Sequence, residues 1–182
     1  QVSSPYGLYV TDDYIVTHNT AAGIYWLIIG NPLELLKPGE HRPVDWTYTN
    51  HPQYRALVLR KNQNDLEDWV RKARDLYGQM GAEFHVRPTM FVWPSPQNPK
   101  EPGATIVIGH LADADAYEKY QGQEFHRLLL EEATQIPKYE LYSRVLASIR
   151  TVHPELRPQA FLTANPGGPG HCLPHGRVLT PD

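Results

Sequence analysis

Two periodicities of apolar and polar residues alternate along the chain, one typical of strands and the other of helices. The run RALVLR (residues 55–60) is apolar through its centre, as expected of a strand that is buried on both faces. The segment NDLEDWVRKARDLYGQMG (residues 64–81) repeats its apolar residues at helical spacing. This pattern predicts a helix that begins at an Asn64 cap and ends at Gly78 or Gly81.

The first 52 residues are less regular. LYV and YIVT are separated by the turn-forming TDD, so residues 1–19 are predicted to contain short strands. Thr20 to Leu36 has the pattern of a helix interrupted by Gly30-Asn31-Pro32. Residues 37–52 form a loop rich in Pro, His and Gly.

The second half of the chain alternates strand and helix patterns. TMFVWPS and ATIVIGH flank a proline-rich turn and predict a hairpin, and ADADAYEKYQG predicts a short helix or loop. HRLLLEEATQIP predicts a strand ending in two carboxylates, KYELYSRVLASIRT an amphipathic helix, and PQAFLTANPGGPGH a strand with a glycine-rich turn. This alternation predicts an α/β fold whose central sheet is largely parallel.

The composition excludes few functions. A hydrophobic content of 41% and a formal net charge of -3 over 182 residues fit one soluble globular domain without a strongly basic surface, although a local DNA contact remains open. The longest apolar run, GIYWLIIG (residues 23–30), is too short to span a bilayer. The single cysteine excludes an internal disulfide framework and fits a reducing compartment.

The strongest chemical signal is the pair Glu131-Glu132, which follows the apolar run LLL. Ligands of open α/β sheets bind at the carboxyl ends of the strands, where this pair is expected to lie. One carboxylate can hold Mg²⁺ and its neighbour can orient a water molecule against a phosphate. The alternative is a strand end with two solvated acids that stabilise the start of a helix.

Longer segments around this pair resemble a known family. YQGQEFHRLLLEEATQIPKYELYSRVLASIRT, the later FLTANPGGPGH and the earlier RALVLRKNQNDLEDWVRKARDLYG are similar to the ATPase domain of the phage terminase large subunit. The resemblance extends from about Thr20 to His171 with the motifs in the same order. It implies a P-loop NTPase-like sheet with flanking helices, in a motor that uses ATP and Mg²⁺ to package double-stranded DNA into a procapsid.

The resemblance also implies roles for single residues. Glu131 takes the Walker B metal-site position, where Asp is more usual, and Glu132 is the catalytic carboxylate. Thr163 and Asn165 match the coupling motif, which senses the γ-phosphate and transmits hydrolysis to DNA movement. Arg60, at the end of the first buried strand, is expected to approach the nucleotide. The alternative for Thr163 and Asn165 is a strand that runs into a Pro-Gly turn.

One element of a P-loop ATPase is missing from the sequence. The motif G-x-x-x-x-G-K-[ST], whose amides and lysine bind the phosphates, occurs nowhere in the chain. TAAGIYWLII nevertheless resembles the segment that follows the lysine of this motif, which consists of a Thr and then an apolar helix. We therefore expect that the motif is interrupted before Thr20, whose hydroxyl would bind Mg²⁺, and that the chain alone does not hydrolyse ATP.

The residues before Thr20 resemble the C-terminal end of an intein, a self-splicing insertion. In YVTDDYIVTHNT, Asn19 would cyclise through its side-chain amide and release the chain, and His18 would assist by protonating the departing amine. Thr20 would first accept the upstream segment by ester exchange. The resemblance implies a short β-type intein remnant at residues 1–19.

The last residues, CLPHGRVLTPD (172–182), resemble the start of a second intein, in which Cys172 would perform the initial acyl shift. The alternative is an ordinary structural thiol. Residues 20–171 are then a partial terminase ATPase domain between two intein segments.

The resemblance implies several partners: an upstream P-loop-bearing segment, the missing intein halves, the phage portal, the small terminase subunit and further copies of the chain, with no membrane. It places the protein in the host bacterial cytoplasm and transiently at the procapsid portal. Two alternatives remain open, namely another P-loop DNA translocase of the helicase type and a non-catalytic module that binds nucleic acid or the portal.

Overall fold

A computed structural model of the chain describes residues 8–10, 16–29, 47–62, 64–112, 114–136, 139–153 and 155–164. Its α-helices within these ranges are α1 (Asn19–Ile29), α2 (Glu67–Gln79), α3 (Ala114–Glu118) and α4 (Tyr139–Leu146). None of the helices in the described ranges is long and apolar enough to cross a membrane.

The described strands form a hairpin and a larger sheet. The hairpin pairs β1 (Leu8–Val10) with β2 (Val16–His18) in antiparallel fashion. The strands of the larger sheet are β3 (Arg55–Arg60), β4 (Glu83–Val86), β5 (Thr89–Pro94), β6 (Pro102–His110), β7 (Arg127–Leu130) and β8 (Gln159–Leu162). Their order is β4-β5-β6-β3-β7-β8, in which the last four strands run parallel. The prediction of an α/β fold with a largely parallel sheet is therefore confirmed.

The sheet has one antiparallel side. β5 pairs with β6 as the predicted hairpin, and β4, which the sequence pattern does not predict, adds a further antiparallel strand. The side chains of EFHV are largely exposed, so the sequence lacks the clear alternation of apolar and polar residues that predicts a strand. The α-helix α2 begins at Glu67 rather than directly after Asn64, because residues 64–66 first form a 3₁₀ turn. The N-cap residue of α2 is therefore Leu66, which makes no side-chain cap.

Alternate residues of the central strands point to opposite faces, so the sheet has a hydrophobic core on each side. One core joins α1, α2 and the sheet through Ile24, Leu27, Ile28, Ala56, Val58, Trp69, Ala73, Tyr77, Ile106 and Leu129. The other joins α4 and its neighbouring loops to the sheet through Leu57, Leu59, Tyr120, Phe125, Leu128, Leu130, Leu141 and Val145. The result is a three-layer arrangement of helices, sheet and helices.

Polar contacts fix α1 on this sheet. The hydroxyl of Tyr54 donates to the Leu27 carbonyl at 2.5 Å, and that of Tyr77 donates to the Ile24 carbonyl at 2.8 Å. The fully buried guanidinium of Arg127 donates to the Trp26 carbonyl and lies 4.4 Å from the centre of that residue's indole ring. These contacts hold the later turns of α1 against α2 and against the amino ends of β3 and β7.

Candidate active site

β7 ends in a strained turn that separates the two carboxylates. Glu132 adopts the left-handed conformation (φ 50°, ψ 50°), which costs a side-chain-bearing residue roughly 1 kcal/mol. Two hydrogen bonds from this turn to Thr163, which directly follows the neighbouring strand β8, offset this cost. The hydroxyl of this residue accepts the Glu132 N–H at 3.0 Å, and its carbonyl accepts the Ala133 N–H at 2.8 Å. The turn directs Glu131 into the protein and leaves Glu132 partly exposed.

Glu131 is a buried carboxyl group that is only 2% exposed, and just one of its two oxygens has a hydrogen-bond partner among the described residues. Its Oε2 accepts a hydrogen bond from the Thr20 hydroxyl at 3.3 Å, and its Oε1 has no hydrogen-bond partner among the described residues. Burial raises the pKa of Glu131 from 4.5 to about 7, against the opposing effects of the Arg60 charge and the Thr20 hydroxyl. Glu131 therefore gains and loses its proton near neutral pH.

Gly23 allows α1 to approach β7 closely enough for this contact. A Cβ at this position would lie 2.8 Å from Leu129 Cδ2 and 3.4 Å from Glu131 Oε1. Thr20 and Gly23 lie three residues apart in the first turns of α1 and therefore share one face of the helix. The sequence prediction does not include Gly23, although this spacing of two small residues at the start of an apolar helix is a signal for close packing.

Arg60 binds the second carboxylate. It lies at the carboxyl end of β3, and β3 runs parallel to β7, which precedes the carboxylate pair. Its Nη2 lies 2.7 Å from Glu132 Oε1, and the two side chains are 18% and 29% exposed. The approach of Arg60 to a nucleotide stays a prediction. The residue lies at the same edge of the sheet as the carboxylates and contacts one of them.

The described structure thus brings together the predicted residues Thr20, Arg60, Glu131, Glu132 and Thr163. Of the predicted splicing residues, His18 ends β2 and Asn19 begins α1, so the backbone passes directly from strand to helix there. Asn165 and Cys172 lie outside the described residues, as do the rest of residues 172–182.

The chemistry of the cluster suits a hard cation. The Thr20 hydroxyl and the partnerless Glu131 Oε1 are oxygen donors on adjoining elements, and oxygen donors are the ligands that Mg²⁺ prefers. A divalent cation here would favour the ionised form of Glu131 and thereby offset the cost of burying its charge. The residues present therefore fit Mg²⁺.

Comparisons of the chain with protein-family models, curated proteins and solved structures found no match.

Proposed function

We propose that the chain supplies the Mg²⁺-binding and catalytic carboxylates of a terminase large subunit, the ATP-hydrolysing motor that packages DNA into the procapsid of a tailed phage. The observation that carries this proposal is the hydrogen bond between Thr20 and Glu131, which are 111 residues apart in sequence. In P-loop NTPases the P-loop Ser or Thr and the Walker B carboxylate hold Mg²⁺ together. The two residues with those expected roles are in contact here.

Each residue of the cluster has a defined task in this proposal. Thr20 and Glu131 would hold Mg²⁺, which would neutralise charge on the transferred phosphoryl group. Thr20 also lies at the start of the 11-residue helix α1, whose N-terminal dipole favours an anion such as phosphate. Glu132 orients the attacking water molecule and accepts its proton.

Arg60 controls whether Glu132 can act. While its guanidinium contacts Glu132 Oε1 at 2.7 Å, the ion pair occupies that oxygen. A nucleotide phosphate that attracts Arg60 would release the carboxylate. Thr163 links the backbone of Glu132 to β8, so a displacement of this strand end would move the carboxylate. This link would be the contribution of Thr163, beside that of Asn165 in the same coupling motif, to the coupling of hydrolysis to DNA movement.

The proposal requires a phosphate-binding loop joined directly before Thr20. We infer that residues 1–19 and 172–182 are intein segments, in which His18, Asn19, Thr20 and Cys172 carry the splicing chemistry. Splicing would attach a glycine-rich segment ending in Gly-Lys to Thr20. The joined protein would act in the bacterial cytoplasm at the procapsid portal, on double-stranded DNA, with the small terminase subunit and further copies of itself.

A comparison of ATP hydrolysis before and after joining tests the proposal. The chain is coexpressed with the segments encoded upstream and downstream, and the joined product is purified beside the 182-residue chain. We expect Mg²⁺-dependent ATP hydrolysis in the joined product and none in the separate chain. A joined product that binds DNA or portal without hydrolysing ATP would favour a non-catalytic module, and one that separates DNA strands would favour a helicase.

The splicing assignment has a separate test by mass spectrometry of the coexpressed products. Asn19→Ala should block release of the upstream intein, and Cys172→Ala should block the reaction at the downstream junction. If both variants give the product masses of the unchanged chain, the intein assignment is wrong, whatever the outcome of the ATPase assay.

A further inference from the structure

A second polar cluster lies at the opposite edge of the sheet from the carboxylate pair. His51 lies in the loop that precedes β3, and His153 and Glu155 lie in the loop that precedes β8. Both loops are therefore at the amino ends of parallel strands. β3 has six residues at about 3.3 Å each, so this edge is roughly 20 Å from Glu132. The proposed ATPase site makes no use of these side chains.

The three side chains direct potential metal ligands at one another. His51 Nε2 lies 2.9 Å from Glu155 Oε1, and His153 Nδ1 lies 3.9 Å from the same oxygen. All three ligand atoms lie within 4.8 Å of one another. Ligands of a tetrahedral zinc ion are separated by about 3.3 Å, which follows from zinc–ligand bonds of about 2.0–2.1 Å. The observed separations lie on both sides of this value, so small side-chain rotations can place an ion between the atoms.

The loops hold the two histidines in place through their own backbones. The Tyr54 N–H donates to the His51 carbonyl at 2.9 Å, just before β3 begins. The His153 N–H donates to the Thr151 hydroxyl oxygen at 2.9 Å, and the Leu156 N–H donates to the His153 carbonyl at 2.9 Å. Because these bonds already order the loop backbone at both histidines, metal binding would cost less loop-ordering entropy.

A second layer of polar residues supports the cluster from inside. His126 is 2% exposed, and its ring centre lies 6.1 Å from that of His153. Its Nδ1 accepts the Arg55 N–H at 2.9 Å, and its Nε2 lies 3.4 Å from Glu124 Oε1. The same Glu124 oxygen accepts the Val152 N–H at 3.3 Å, next to His153. These contacts fix the wall against which the His153 ring lies.

From this arrangement we propose that His51, His153 and Glu155 form a binding site for Zn²⁺. Two imidazole nitrogens and one carboxylate oxygen suit a borderline ion such as zinc, whereas Mg²⁺ requires oxygen ligands in octahedral geometry. The side chains of His51, His153 and Glu155 are 19%, 33% and 50% exposed, so the fourth position of the ion opens to solvent. The ion would link the loop before β3 to the loop before β8.

Metal binding has one cost that the structure identifies. His51 Nδ1 accepts the Gln53 N–H at 3.2 Å, which in the neutral ring places the proton on Nε2. Zinc on Nε2 requires that proton on Nδ1 instead, so the bond from Gln53 is lost. This hydrogen bond is long and exposed, so after metal binding the Gln53 N–H can donate to a water molecule instead.

The two histidines of this site share a short sequence pattern. His51 and His153 each begin the pattern His-Pro-x-x-Arg, as HPQYR and HPELR. The two copies are far apart in sequence, and only the sheet order brings the loops before β3 and β8 to the same edge.

Calorimetric titration of ZnCl₂ into the metal-free full chain tests the proposal. The titration is repeated with C172S, which removes the one thiol and interrupts the nearby sequence His171-Cys172-x-x-His175. We expect one zinc ion per chain at this site in both proteins, with no competition from an equal concentration of Mg²⁺. His51→Gln and Glu155→Gln should each weaken this binding about tenfold or more.

His85→Gln is the matched control, because His85 and Glu83 form an exposed pair with nitrogen and oxygen 3.9 Å apart. This variant should bind zinc like the unchanged chain. Circular dichroism checks the fold of each variant, and the half-exposed Glu155 is the position where substitution disturbs packing least. X-ray absorption of the zinc complex of C172S should show two imidazole ligands.

Two results would overturn the proposal. One is zinc affinity in His51→Gln and Glu155→Gln equal to that of the His85→Gln control. The other is an absorption spectrum of the C172S complex with fewer than two imidazoles.

Discussion

At the residue scale, Glu131 combines a buried charge with an incomplete set of partners. The Thr20 hydroxyl satisfies one oxygen, and the other has no partner among the described residues. A buried carboxyl group in this state is costly when ionised, and burial is the largest cause of its raised pKa. Such an environment is stable when the group is protonated or when a cation lies against it.

The pH dependence of stability is a consequence of this raised pKa. In metal-free buffer, the protonated Glu131 side chain stabilises the folded state fully below pH 4.5, and this contribution is lost as the pH rises through about 7. The gap between 4.5 and about 7 corresponds to about 3 kcal/mol. Urea unfolding should therefore show the stability of the unchanged chain falling over this pH range relative to that of E131Q. Parallel pH profiles of the two proteins would contradict the assignment.

Thr163 offers a second test at this scale. Thr163→Val keeps the shape of the side chain but removes the acceptor of the Glu132 N–H, so the free energy of unfolding should fall by about 1–3 kcal/mol. Thr163→Ser keeps the acceptor and is the matched control, with a smaller loss from the missing methyl group. Equal losses in the two variants, measured by urea unfolding, would mean that the hydrogen bond does not support the turn.

At the scale of elements, hydrophobic periodicity predicts most of the strands and helices, whereas the contacts between them depend on packing. The apolar run of β3 and the helical spacing of α2 are visible in the sequence because burial selects them directly. The strand β4 is not visible in the sequence, since its side chains are largely exposed. The contact of Thr20 with Glu131 depends on how closely α1 lies to β7, and the local sequence indicates close packing of α1 through Gly23 without indicating which strand it packs against.

Gly23 tests this close approach. Ala is the better helix former, so Gly→Ala in a helix ordinarily stabilises by about 0.5–1 kcal/mol. Gly78 in α2 has nothing within 4 Å of an added Cβ, and Gly78→Ala should show this gain. Gly23→Ala should instead lower the free energy of unfolding by about 1–2 kcal/mol, because the Cβ would meet the buried Leu129 side chain at 2.8 Å. If thermal unfolding shows that both substitutions stabilise the protein equally, α1 does not pack against β7 as closely as the distances at Gly23 indicate.

At the scale of the whole molecule, the sheet presents different chemistry at its two edges. The carboxyl ends of β3, β7 and β8 bring Arg60, the carboxylate pair and Thr163 together. The sequence allows the carboxylates to be predicted, since parallel strands end at a common edge. The roles of Thr20 and Thr163 come from the family resemblance. The sequence pattern does not predict the His51 cluster at the amino edge, because the cluster depends on loops that only the strand order brings together.

The ATPase proposal depends most directly on Glu132. The decisive measurement is the rate of Mg²⁺-dependent ATP hydrolysis by the joined protein at saturating ATP, compared between Glu132→Gln and a control, Glu140→Gln. Glu140 is an exposed carboxylate in the first turn of α4. We predict that Glu132→Gln lowers the rate about 100-fold or more, as expected for the loss of a general base, and that Glu140→Gln leaves it unchanged. A rate in Glu132→Gln equal to that of the control would contradict the assignment of this edge as an ATPase site.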